Sequence, residues 1–167
     1  SMAVRVERAG VRYTATRSGL VLGLAGGALP RFMIPYRFHA GGWLGSGRQW
    51  LSWISLEDEI RAIRFLMDNA RLKGAFNLTS PQPVTMKEFS RTLGEVLKRP
   101  AWTRVPAFVL RLALGPMADE TLLTSQKAIP KRLVEAGFTF RYPQLRTALE
   151  AIIEGENHES GQLLRER

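Results

Sequence analysis

The segment Gly41-Gly42-Trp43-Leu44-Gly45-Ser46-Gly47-Arg48-Gln49-Trp50-Leu51-Ser52-Trp53-Ile54-Ser55-Leu56-Glu57-Asp58 admits few folds. Its first seven positions hold four glycines, which open positive φ and let another chain or a ligand approach the backbone. From Gln49 to Ile54 the order predicts a strand, with Trp50, Ser52 and Ile54 on one face and Gln49, Leu51 and Trp53 on the other. Both faces are apolar enough to require cover. Ser55-Leu56-Glu57-Asp58 then reads as a capping box, in which the Ser55 hydroxyl accepts from the backbone and the Asp58 carboxylate reaches back. Three of the four tryptophans lie in this segment, so it also carries much of the aromatic surface to be buried.

The chain has 167 residues, the size of one domain with a sizeable core. Without cysteine, neither a disulfide framework nor a thiolate metal site is possible, and a cytoplasmic location is the expectation. Ser1 ahead of Met2 reads as a cloning remnant before an initiator. The apolar runs near 20–30 and 105–115 fall short of the ~20 residues of a membrane-spanning helix. The net charge of +9 is uneven: residues 1–50 hold seven Arg against one Glu, whereas the last seventeen hold two Arg against four Glu. A basic third suits a phosphorylated cofactor, an acidic partner or nucleic acid. The dispersal of these arginines, with no recognition helix or aromatic RNA-binding strand beside them, puts nucleic acid last.

Along the chain, Val11 to Leu22 is rich in β-branched residues and bounded by glycines, as a buried strand ending near Ser18-Gly19 would be. Gly23 to Pro30 reads as a turn, and Arg31 to Phe38 as a short helix interrupted by Pro35. After the capping box, Ile60, Ile63, Leu66, Met67 and Ala70 recur at helical spacing up to Lys73-Gly74. Ala75 to Ser80 is a second strand, and Thr85-Met86-Lys87-Glu88 is a second capping box opening a helix with Phe89, Leu93 and Val96 on its apolar side. Val105 to Leu114 predicts a helix apolar nearly all round. Pro130 begins a short helix that Gly137 ends, Phe138 to Phe140 is extended, and Pro143 opens a last helix with Leu145, Leu149 and Ile152 inward. The polar stretch 154–167 is expected to be a disordered tail.

Little catalytic chemistry is readable from residue type alone. The two histidines, His39 and His158, are too far apart to suggest a metal cluster or a triad, so no metal ligand and no catalytic residue is assigned. Gly45-Ser46-Gly47 lacks the spacing of a dinucleotide loop, since Trp50 stands at the sixth position and a strand follows where a phosphate-binding helix should begin. Tyr13 and Tyr142 are followed four residues later by Arg17 and Arg146, and guanidinium cannot replace the lysine of a Tyr-x-x-x-Lys pair.

Three segments carry a resemblance: Arg17-Ser18-Gly19-Leu20-Val21-Leu22-Gly23, Gly45-Ser46-Gly47-Arg48-Gln49-Trp50, and Lys131-Arg132-Leu133-Val134-Glu135-Ala136-Gly137-Phe138 with Phe140-Arg141-Tyr142-Pro143. Together they resemble the C-terminal half of epimerase-family proteins within the extended short-chain dehydrogenases/reductases, from about Val11 to Ile153. The third resembles the uncharacterised C-terminal domain of that subgroup, here 114–153. The resemblance implies an α/β fold, α+β in isolation, with two or three strands from the C-terminal part of a Rossmann-like sheet and a mostly helical substrate-binding lobe. Residues 1–153 would form this single domain, without the family's nucleotide-binding half. It further implies that Arg17, Ser18 and Gly19 lie beside a nicotinamide, while Arg48, Gln49, Gln126 and Lys127 face the substrate. Sugar-nucleotide epimerases offer an Arg to the diphosphate where Leu51 stands here, and Ser55 replaces a His common at that helix start. Arg48 and Gln49 are therefore expected to meet a smaller or less charged ligand.

Three functions follow as expectations. The chain is the substrate-binding half of an NAD(P)-dependent epimerase or oxidoreductase, inactive alone and binding NAD or NADP only with a complementary half. Alternatively, it is a non-catalytic binding or assembly module derived from that fold. A basic nucleic-acid binder is the third. An incomplete sheet would leave an open edge and an uncovered face, so the expected partner is a second copy or a separately encoded nucleotide-binding half.

Overall fold

The computed structural model describes residues 12–105, 125 and 127–163. Within them run β1 (Thr14–Ser18), β2 (Leu20–Leu22), α1 (Leu29–Arg37), β3 (Gly41–Leu44), β4 (Trp50–Leu51), β5 (Trp53–Ser55) and α2 (Leu56–Asp68). Then follow β6 (Gly74–Leu78), β7 (Val84–Thr85), α3 (Met86–Val96), β8 (Ala101–Val105), α4 (Lys131–Glu135) and α5 (Leu145–Leu163). The α/β expectation holds. The eight described strands exceed the expected two or three, because pieces of two to five residues are too short to leave a periodic signature.

The segment predicted as one strand from Val11 to Leu22 is two, broken at Gly19. β1 pairs in parallel with β6, from Thr14 opposite Gly74 to Ser18 opposite Leu78. β2 pairs in parallel with β5, Leu20 opposite Trp53. The partner changes at Gly19, whose N–H donates to Leu78 O (3.0 Å), whereas the Leu20 N–H donates to Ser52 O (2.7 Å). A Cβ on Gly19 would lie 2.5 Å from Ser52 O, so only glycine lets the two backbones cross here.

The strand predicted over Gln49 to Ile54 is likewise two. β4 pairs antiparallel with β7 and β5 pairs in parallel with β2, so both the partner and the pairing sense change at Ser52. The glycine-rich stretch expected as a loop is a strand over Gly41–Leu44, paired in parallel with β8, which the sequence pattern did not reveal. Gly41 is there for packing: a Cβ would fall 2.3 Å from the Tyr36 ring.

Successive residues of a strand point to opposite faces, and two cores result. Trp53 and Leu22 join Leu29, Tyr36, Met86, Phe89, Leu93 and Leu149 on one side. Ile54 joins Ala62, Leu66, Phe76, Leu78, Leu133 and Phe138 on the other. A parallel sheet covered on both faces is what β2 and β5 require. Burial of the Tyr36 phenol pushes its pKa up to about 12, and its hydroxyl donates to Ser90 O at 2.7 Å.

Both capping sequences open helices. The Ser55 Oγ accepts from the Asp58 N–H at 3.1 Å, and the Thr85 Oγ1 from the Glu88 N–H at 3.2 Å. The reciprocal half predicted for Asp58 is replaced by a tertiary contact. Its fully buried carboxylate accepts from the Arg141 N–H (2.8 Å), the Tyr142 N–H (2.9 Å) and the Arg61 guanidinium (2.7 Å). The start of α2 is thereby tied to the segment leading into α5. At the other end of α2, the Arg12 guanidinium donates to the carbonyls of Leu66 and Met67 in the last turn and of Asn69 just beyond it.

Of the apolar residues expected along α2, Leu66 is buried with Ala62, whereas Ile60, Ile63 and Met67 are 58%, 39% and 68% exposed. Leu56, also exposed, extends this outward stripe. Gly137 has φ +90° and closes α4 through Gly137 N–H to Val134 O and Phe138 N–H to Leu133 O. The last helix does not stop near Ile153 but continues to Leu163, through part of the segment expected as a disordered tail. Extending a helix already nucleated by packing costs far less than starting one. The predicted helix at Val105–Leu114 lies outside the described residues, apart from Val105 at the end of β8. No helix among the described residues is long and apolar enough to cross a membrane.

Candidate functional site

The turn between β3 and β4 forms one rim of an open cleft of about 740 Å³, lined by Trp43, Ser46, Gly47, Arg48, Trp50, Thr85 and Lys87. The local sequence explains the turn. Gly45 and Gly47 have φ values of +60° and +72°, a region that disfavours residues with a Cβ. The Ser46 Oγ accepts from the Arg48 N–H (3.2 Å) and donates to Gln49 Oε1 (3.1 Å). Loop and helix are then clamped together: the Met86 N–H donates to Gln49 O (2.9 Å) and the Lys87 N–H to Gly47 O (3.0 Å). With the Glu88 N–H on Thr85, the first amides of α3 are all occupied. The helix start supports the wall and holds no free N–H cradle for a phosphate.

Electrostatics distinguish this cleft. Arg48 and Lys87 line it with no carboxylate among the lining residues. The Lys87 ammonium stands over the Trp43 ring, 5.0 Å from its centroid, and the Lys127 ammonium over the Trp50 ring at 4.1 Å. Each indole face holds its cation in place. The segment before α4 is bonded to the back of this region: the Trp50 N–H donates to Ser125 Oγ (3.1 Å), and the Ser52 Oγ accepts from the Ala128 N–H (2.8 Å).

The residues expected to face a substrate therefore separate. Arg48 lines the cleft, and Lys127 is not among the lining residues but stands over the ring of Trp50, which is. Gln49 is 8% exposed and braces the turn from within instead of facing a ligand. Gln126 lies outside the described residues. Arg17 and Ser18 end β1 and Gly19 follows it; none of the three is among the lining residues, and Gly19 packs on Ser52. Arg17 and Ser18 are exposed. The Ser18 hydroxyl donates to Glu59 Oε1 at 2.5 Å, and the other oxygen of this buried carboxylate has no partner among the described residues. Burial raises the Glu59 pKa and the Ser18 hydrogen bond opposes the rise.

Residue-level reading missed Trp43, Thr85 and Lys87 as cleft residues. Lys87 carried a signal: a cation in the first turn of a helix opposes the macrodipole, a local rule broken where a site gains from it. Trp43 and Thr85 carried none, because the proximity of the β3–β4 turn to α3 is a tertiary fact.

Residues 105–152 match a domain of unknown function, DUF1731. The sequence is 45% identical over 148 residues to the epimerase family protein YfhF of Bacillus subtilis, covering 89% of this chain and 48% of that protein. It is also 45% identical over 143 residues to the epimerase family protein ML0860 of Mycobacterium leprae, covering 86% of this chain and 47% of that one. The chain thus spans about half the length of the curated relatives it matches. Among solved structures, the human epimerase family protein SDR39U1 with NADPH superposes at a TM-score of 0.81 and 34% identity, over 86% of this chain and 49% of that one. The dTDP-glucose 4,6-dehydratase of Bacillus anthracis in complex with NAD shares the fold at a TM-score of 0.71 and 13% identity, over 94% of this chain and 48% of that one.

Proposed function

We propose that this epimerase family chain, with its DUF1731 domain, is the substrate-binding half of an NAD(P)-dependent epimerase or oxidoreductase and is not catalytic by itself. The observation that carries the reading is the match to an NADPH-bound relative over 86% of this chain but 49% of that one. Consistent with it, the 167 residues contain neither a Gly-rich βαβ loop nor a Tyr-x-x-x-Lys pair, so the groups that would hold a dinucleotide and move a proton must come from elsewhere. In this reading the cleft between Arg48 and Lys87 receives the substrate. Arg17, Ser18 and Gly19 stand beside the nicotinamide once a complementary half supplies the rest of its site.

The outward stripe of α2, Leu56, Ile60, Ile63 and Met67, supports a partner. Four apolar side chains in a row on one exposed helix face require cover. The proposed occupant is a nucleotide-binding half, because the relatives that share this sequence are about twice as long. A second copy of the chain is the competing occupant, and it corresponds to the assembly-module reading.

Calorimetric titration of NADPH tests the proposal, into the chain alone and into an equimolar mixture with the N-terminal half of the Bacillus subtilis relative. Binding only in the mixture is the expected result. Saturable NADPH binding by the chain alone overturns it, as does a mixture in which the halves do not associate.

A further inference from the structure

We propose that the cleft selects a small carboxylate borne on a flat apolar body, with Lys87 and Arg48 as the carboxylate's partners. The proposal rests on taking the cleft as the substrate site and adds the class of substrate.

Three observations carry it. First, the charge is one-sided. Arg48 and Lys87 line the cleft, no carboxylate stands among its lining residues, and neither cation makes an ion pair with a carboxylate among the described residues. An uncompensated cluster of cations in a concave site concentrates anions. Second, the occupied backbone favours a carboxylate over a phosphate. Phosphate sites draw on backbone N–H groups, and here those of Met86, Lys87 and Glu88 already donate to Gln49, Gly47 and Thr85. Leu51, 6% exposed, turns into the core and adds no further cation. An ammonium and a guanidinium suffice for the two oxygens of a carboxylate. Third, the remaining wall is aromatic. Trp43 and Trp50 give the cleft apolar, planar surface, and about 740 Å³ holds a molecule of one or two rings.

Lys87 is the specificity determinant. Its position costs favourable interaction with the helix dipole, and the Trp43 ring holds the ammonium at the mouth.

The test uses the full chain and the indole N–H signals of its four tryptophans in a two-dimensional NMR spectrum, assigned by single Trp→Phe variants. Benzoate is expected to shift the Trp43 and Trp50 signals saturably and to leave Trp102 unmoved, whereas neutral benzamide leaves all of them in place. Lys87→Met should weaken benzoate by about tenfold, the value of one charge-assisted hydrogen bond, and Lys87→Arg should restore most of it. Equal binding of benzamide, or unchanged benzoate affinity in Lys87→Met, overturns the proposal. Phenyl phosphate binding tighter than benzoate overturns the choice of carboxylate, and duplex DNA displacing benzoate reassigns the cleft to nucleic acid. No cofactor enters these titrations. A chain that binds benzoate but gains no NADPH site with a complementary half keeps this inference and loses the proposed function; the reverse result does the opposite.

Discussion

The helices α2 and α3 begin with the same kind of sequence, Ser55-Leu56-Glu57-Asp58 and Thr85-Met86-Lys87-Glu88, and put it to different uses. In both, the hydroxyl of the first residue accepts the N–H of the fourth. In α2 the acid of the motif is fully buried and gathers two backbone N–H groups from residues more than eighty positions away, together with a guanidinium. In α3 the acid is exposed, and the residue before it, Lys87, turns its charge into a cleft. One helix start is a tie within the fold; the other is a wall of the candidate site. Identical local rules therefore separate into holding and binding according to what the rest of the chain brings against them.

The largest effect should come from the tie. Asp58→Ala removes the acceptor for the Arg141 and Tyr142 N–H groups in a buried place, and urea unfolding is expected to show a loss of about 3 kcal/mol. Asp58→Asn should fall between the two, since its amide oxygen still accepts but the charge is gone. Thr85→Ala removes only a helix cap and should cost about 1 kcal/mol in the same assay. If Thr85→Ala costs as much as Asp58→Ala, the contrast between the two starts is wrong.

The smallest effect sharpens the comparison from the neighbouring acid. The pKa of Glu59 is raised in the folded protein, chiefly by burial. An acid with a raised folded pKa binds its proton more tightly when folded, so it favours folding at acid pH and loses that contribution as pH climbs through its titration. Glu59→Gln keeps an acceptor for the Ser18 hydroxyl without a charge to desolvate. Its melting temperature should match the wild type below the ordinary carboxylate range and exceed it at neutral pH. A difference that does not change with pH would show that Glu59 stays unprotonated without penalty.

Much of this fold was legible where a short sequence carries its own physical instruction. Ser55 and Thr85 announced two helices, Gly137 closed a third, and the apolar run through Leu20 to Leu22 gave a strand covered on both faces. What was not legible depends on partners remote in sequence. Gly41-Gly42-Trp43-Leu44 has no alternation and only a strand sixty residues on makes it one, as Gly41 opposite Ala101 shows. α2 carries apolar residues on most of its circumference, so periodicity alone did not say that Ala62 and Leu66 face in while Ile60, Ile63 and Met67 face out. At the candidate site, the resemblance named Arg48 and Lys127, and the structure puts the first in the cleft lining and the second over the Trp50 ring. Gln49 was misread, because a polar residue in a glycine turn serves equally to brace the turn or to meet a ligand, and only its burial decides.

Gly19 joins two strand pairs through adjacent peptide groups, one bonded to β6 and the next to the residue preceding β5. Mechanically, the two pairs are pinned there, and the Ser80 N–H, which donates to Trp53 O at 2.5 Å, pins them again just beyond the end of β6. β5 cannot slide along β6 without breaking these hydrogen bonds, so the two pairs shift together instead of past one another.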